Sequence, residues 1–200
     1  MTPPPARRAD AERSRIAVLD AALHLLGERP SAGMAAVAAA AGVTRQTVYA
    51  HFSSRDDLVT AVVDHMTEKV VQAMDAVAAD AGPAPDALFR LLDATWRVSE
   101  AYPALIQLGD HPTLTERDRT RHQPIADRIA QVLQRGRDDG VFDPTPPLSW
   151  QVAAVIALSH ATGEEVRADR MPAAEAQQAL RSGLLRLLMP DTATSATEPP

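Results

Sequence analysis

Cysteine is absent from the 200-residue chain, which excludes disulfides and thiolate metal sites. Aromatic residues are scarce, with two tryptophans, two tyrosines and three phenylalanines, and the aromatic and β-branched runs that favour strands are missing. No apolar run approaches the ~18 residues needed to span a bilayer. The first residues also lack the basic-then-apolar order of a secretion signal. These absences predict an all-α protein located in the cytoplasm, with no membrane partner. A hydrophobic content of 46% is ample for a sizeable core.

An overall basic surplus is also lacking: the formal net charge is −6. Its distribution is uneven. Residues 1–55 carry seven arginines against four acids, a net +3, whereas the remainder carries thirteen bases against twenty-two acids, a net −9. A basic head on an acidic body suits a protein whose first quarter alone meets phosphate.

Along the chain, Pro3-Pro4-Pro5 and Arg7-Arg8 predict a flexible arm over 1–8. Its arginines are either a solvated tail or additional DNA contacts. Ile16, Leu19, Leu23 and Leu26 recur at helical spacing and predict a first helix over Ala9 to Leu26, closed by Gly27. A short alanine-rich helix follows over Met34 to Ala41, and a third begins after Thr44. A fourth, about twenty-five residues and nearly 40 Å long at ~1.5 Å per residue, starts near Ser54 and ends before Gly82. Beyond it, helices are expected over Asp86 to Ala101, briefly after Pro103, over Thr113 to Asp139 with a kink or break at Pro124, from Pro147 to about Arg167, and over Pro172 to Met189. The residues 190–200 are rich in threonine, alanine and proline and predict a disordered tail. No internal repeat is present.

The most informative stretch is Ala41-Gly42-Val43-Thr44-Arg45-Gln46-Thr47-Val48-Tyr49-Ala50-His51-Phe52, followed by Ser53-Ser54-Arg55-Asp56-Asp57-Leu58. Gly42 permits a sharp passage from one helix to the next. Thr44 caps the following helix, and Val48 and Phe52, four apart, share its packing face. The polar positions are then free to probe a partner.

Three short helices and a long one, with this junction, resemble the TetR family of transcriptional regulators. The resemblance covers residues 12–62, including Val37-Ala38, Ala41-Gly42-Val43, Thr47-x-Tyr49-x-His51-Phe52 and Leu58. It implies an all-α fold with an N-terminal three-helix helix-turn-helix DNA-binding domain over 9–53 and a helical ligand-binding and dimerisation domain over 54–189. It also implies a homodimer on a palindromic double-stranded DNA operator, acting as a repressor relieved by a small-molecule effector. Arg45, Gln46 and Thr47 would read bases, because arginine and glutamine can each make paired hydrogen bonds to a base edge. Thr44, Tyr49, His51 and Arg55 would grip phosphates without reading sequence. Two positions depart from the family pattern. Arg55 stands where lysine is usual, keeping the charge, and Gly33 stands where threonine commonly caps the second helix, leaving the cap to Ser31 or to the glycine itself.

In the body, His65, Met66, Met74, Phe89, Trp96, Tyr102, Gln107, His111 and Trp150 are available to line an effector pocket, and most of them are equally suited to plain core. Few charges accompany these aromatics, which leans toward an uncharged or apolar effector. Apolar stripes on the last two helices, with Val152, Ile156, Ser159 and Gly163 on one and Ala176, Leu180, Leu184 and Leu187 on the other, either pair with a second copy or are buried within one chain. His111 and His122, with Asp110 and Glu116 between them, match no metal-ligand spacing, and no cofactor is expected. Ser149 and Ser159 lie near His160 but lack a Gly-x-Ser-x-Gly elbow, and no glycine-rich phosphate loop exists, so no enzyme is expected. The alternative function is a helical small-molecule-binding or scaffolding protein whose helix-turn-helix is a relic.

Overall fold

The computed structural model describes residues 5–77, 79–102 and 116–190, with 5–8 and 116–119 described by backbone alone. Among the described residues there are eight helices and no strand: α1 (Pro5–Glu28), α2 (Met34–Ala40), α3 (Arg45–His51), α4 (Arg55–Asp75), α5 (Ala84–Ala101), α6 (Glu116–Asp138), α7 (Leu148–Arg167) and α8 (Ala173–Leu188). The short helix expected after Pro103 and the tail from residue 191 lie outside the described residues.

Three boundaries differ from expectation for identifiable reasons. α1 starts at Pro5 rather than Ala9, so Arg7-Arg8 belongs to helix and not to an arm. Proline is well suited to a first helical position, where its fixed φ is already helical and its missing N–H has no partner to lose. α4 stops at Asp75, giving 21 residues and about 32 Å rather than nearly 40 Å. Its last turn carries Asp75 and no basic residue, an arrangement the helix dipole disfavours. The Asp75 carboxylate is instead taken by Nε and Nη2, one edge of the Arg128 fork, each at 2.6 Å, and the hydrogen bond from Arg128 holds it below the usual carboxylate range. α6 runs through Pro124 without a break, and the Pro124 carbonyl accepts from Arg128 Nη1 at 2.8 Å.

The described residues fall into two units. The first runs to Gln72 and resumes from Trp96 to His122. Its core joins Val18, Leu19, Ala22, Leu23, Leu25 and Leu26 of α1 to Met34, Val37 and Ala38 of α2, Val48 and Phe52 at α3, and Leu58 and Val62 of α4. Leu58 and Val62 thus join the start of α4 to the core of the first unit, and the division between the units lies between Gln72 and Ala73. The second unit holds the described residues of 73–95 and of 123–190. In it α7 and α8 pack together, burying Gln151, Val152 and Val155 of α7 and Ala176, Leu180, Leu184 and Leu188 of α8. Arg181 ties α8 to α5, reaching Asp93 at 2.5 Å and lying 4.8 Å over the Phe89 ring.

Candidate nucleic-acid interface

α3 is seven residues long, and its flanking sequence accounts for both its start and its orientation. Gly42 adopts φ +66°, a left-handed conformation that a side chain would strain, so α2 can turn directly into α3. Behind it the Val43 N–H donates to the Ala38 carbonyl at 3.0 Å. Thr44 is the N-cap, its hydroxyl accepting from the Thr47 N–H at 3.1 Å and lying 2.8 Å from the Thr47 hydroxyl. At the N-terminus of α2 the cap is Gly33 itself, with no side-chain cap hydrogen bond among the described residues.

Val48 and Phe52 are buried, which turns the remaining face of α3 outward. Arg45 and Gln46 are exposed, Thr47 is half-buried, and Tyr49 is 46% exposed. The Arg45 guanidinium lies 5.9 Å over the Tyr49 ring, one helical turn on. These side chains form the outward polar side of α3. His51 is half-buried, and its Nε2 lies 3.2 Å from the Ser14 hydroxyl of α1. Arg15 lies 5.8 Å over the Phe52 ring. Ser14 and Arg15 were not among the candidates from sequence. They sit one turn before Val18 and Leu19, so they prolong the inward face of α1 to the end of α3, and that spacing was the available signal.

Arg55, at the first position of α4, is held by backbone carbonyls of the loop between α1 and α2. Its Nε donates to the Ala32 carbonyl at 3.3 Å and its Nη2 to the Pro30 carbonyl. His65 and Lys69, further along α4, join α1: His65 Nε2 and Lys69 Nζ each lie 2.9 Å from an Asp20 carboxylate oxygen, and His65 Nδ1 lies 3.4 Å from Glu68. Burial alone would raise the Asp20 carboxyl, but hydrogen bonds and charge from His65 and Lys69 outweigh it and hold Asp20 below the ordinary aspartate value.

The other pocket candidates are dispersed. Met66 and Tyr102 pack against the core of the first unit, with Tyr102 edge-on to His24 at 5.2 Å. Met74 and Phe89 are buried in the second unit. The Trp96 indole N–H is buried without a hydrogen-bond partner among the described residues. Trp150 is 50% exposed. Gln107 and His111 lie outside the described residues, as does Asp110. No group of three or more His, Asp or Glu is placed to hold a metal ion among the described residues, and no helix there is long and apolar enough to cross a membrane.

Residues 18–62 match the model of the bacterial regulatory proteins of the tetR family. The chain is 30% identical over 186 residues to the HTH-type transcriptional repressor LfrR of Mycolicibacterium smegmatis, covering 92% of this chain and 95% of that one. The chain belongs to the TetR family. It is a DNA-binding transcriptional regulator, and the matched stretch contains the whole of α2 and α3. Among solved structures of TetR-family proteins, that of LfrR from Mycobacterium smegmatis in complex with proflavine is similar with a TM-score of 0.63 at 28% identity, covering 86% of this chain and 94% of that one. The fatty acid degradation regulator FadR of Bacillus halodurans shares the fold, with a TM-score of 0.70 at 16% identity, covering 86% and 96%.

Proposed function

We propose that this regulator is a homodimeric repressor that holds a palindromic operator through the two α3 helices and releases it when an aromatic small molecule binds the body. The observation that carries the DNA half of the reading is the outward polar face of α3. Arg45, Gln46 and Thr47 read bases there, while Thr44, Tyr49 and His51 position the helix on the backbone. One seven-residue helix offers few contacts, so two copies about 34 Å apart are required to reach successive major grooves. Support for repression and for an aromatic effector comes from the relative, which is named a repressor and was crystallised with proflavine. The coupling is mechanical. The effector favours a spacing of the two α4 helices that no longer fits the grooves, by as much as it binds the two states differently.

For the dimer, the burial pattern supports a face other than the apolar stripes. Val152, Ala176, Leu180 and Leu184 are buried inside the chain, and Ile156, Ser159, Gly163 and Leu187 are half-buried. Trp150, Ala153, Ala157, Leu158 and Ala161 instead line the exposed side of α7 at helical spacing, and Ala179, Ser182 and Gly183 form a slim exposed side on α8. A second copy of the chain is the occupant that fits: small residues let helices approach closely, and Trp150 and Leu158, 50% and 40% exposed, supply the apolar area. Leu158→Arg is expected to shift the monomer–dimer equilibrium at least ~100-fold toward monomer, because a charge would be buried against its own copy. Sedimentation velocity across a concentration series checks this; an unchanged dimer would remove α7 from the interface.

The reading as a whole is tested by salt-titrated binding to the DNA upstream of the gene, with random DNA as competitor, followed by titration of proflavine into the complex. Operator binding at least ~10³ tighter than random, lost as proflavine is added, is the expected result. Equally weak binding to both, persisting when binding sites are selected from random-sequence DNA, would leave the relic helix-turn-helix. Operator binding unchanged at saturating proflavine would remove the proposed effector class.

A further inference from the structure

Among the cationic side chains near α3, Arg55 is held by the fold instead of standing free. It is half-buried, and its Nε and Nη2 both point back into the loop between α1 and α2, to the carbonyls of Ala32 and Pro30. Those two nitrogens form one edge of the planar guanidinium, so the fork spans two carbonyls that are separated by a single residue. A lysine ammonium is a single point on a flexible stem and cannot hold both in this geometry. The loop it grips leads straight into Gly33, the N-cap of α2, which contributes no side-chain hydrogen bond. An added Cβ at Gly33 would meet nothing within 4 Å, although Ala32 and Met34 on either side of it pack against the core. The start of α2 is therefore held by the core contacts of Ala32 and Met34 and, from α4, by the Arg55 fork on the loop backbone, and α2 in turn carries Val37 and Ala38, which pack in the core beside Val48 of α3.

We propose that Arg55 is a positioning residue: it clamps the α1–α2 loop, sets the placement of α2 and hence of α3, and acts on operator binding through that placement and not by direct contact with a phosphate. The inference rests on the operator-binding reading given above and assigns Arg55 a different role within it. Gripping a phosphate and clamping a loop have different salt signatures. A phosphate contact releases counterions, so its loss lowers the slope of log affinity against log salt by about two per dimer. A clamp leaves that slope intact, since no counterion is involved.

The test measures operator affinity against potassium chloride concentration for the wild type, Arg55→Ala and Arg55→Lys. Both variants are expected to lose about tenfold in affinity, the scale of one or two lost hydrogen bonds from a charged donor, with the salt slope unchanged. The matching loss in Arg55→Lys is the readout that a charge-only role would not produce. A slope that falls in Arg55→Ala and is restored along with affinity in Arg55→Lys overturns the clamp, as does wild-type affinity in both. If Arg55→Ala does not fold, Arg55→Lys decides alone, because it keeps the charge and removes the fork. A wild type with no preferred sequence would fail the operator reading instead. The clamp is then judged by amide exchange at Ala32, Gly33 and Met34, expected to be at least about tenfold faster in Arg55→Lys, with equal rates overturning it.

Discussion

Arg45→Ala is expected to weaken operator binding by about 2–6 kcal/mol, roughly 30-fold to 10⁴-fold, because a paired contact to one base is worth about 1–3 kcal/mol and is lost twice per dimer. Arg45 is the first residue of α3 and is exposed, and its guanidinium is braced over Tyr49 at 5.9 Å. Its removal opens no cavity and leaves the Thr44 cap in place, because that cap is closed by the Thr47 N–H. The fold is therefore expected to survive, with an unchanged thermal midpoint. The loss should fall on the operator and not on random DNA, where Arg45 contributes only its charge. Competition assays with both DNAs, and with operators altered one base pair per half-site, measure this directly. A specific reader predicts that discrimination collapses at one symmetric base position. An equal loss on both DNAs would show that Arg45 touches backbone alone.

The largest effect on stability is expected at Gly136, near the end of α6. A Cβ built there would lie 2.2 Å from Phe142 Cδ2, 2.5 Å from Cε2 and 3.0 Å from the Ala84 Cβ. The ring has nowhere to go, since Phe142 is fully buried and its own N–H donates to the Gly136 carbonyl at 2.9 Å, next to that of Val141 at 2.8 Å. Alanine would ordinarily favour a helix over glycine by ~1 kcal/mol. Here it must expel a phenylalanine from the core, at about 3–5 kcal/mol, so the clash decides the sign. Gly136→Ala is expected to lower the thermal midpoint by about 6–20 °C, read by circular dichroism. A midpoint at or above that of the wild type would mean that Phe142 can repack without loss.

Much of the geometry of α3 was legible in the sequence. Gly42, Thr44, Val48 and Phe52 act through rules that span no more than one helical turn: a left-handed angle, a capping hydroxyl and an apolar pair four residues apart. Once these are satisfied, Arg45, Gln46 and Tyr49 have no direction left but outward. The same periodicity placed Ala176, Leu180 and Leu184 on one face of α8. It was silent on whether that face meets α7 of the same chain or a second copy, since both options bury the same area.

Most of the helices, the turn before α3 and the polar face that α3 presents depend on neighbours within a few residues and could be read from the chain alone. Long-range contacts made in the folded protein set the rest. Arg55 turns toward carbonyls 23 and 25 residues away, His65 toward Asp20 at a distance of 45 residues, and Gly136 is needed only because the Phe142 ring fills the space where a side chain would go. A long side chain or a missing Cβ carries no local signature of its partner. Its role is set when folding brings an unpaired carbonyl, carboxylate or ring within reach.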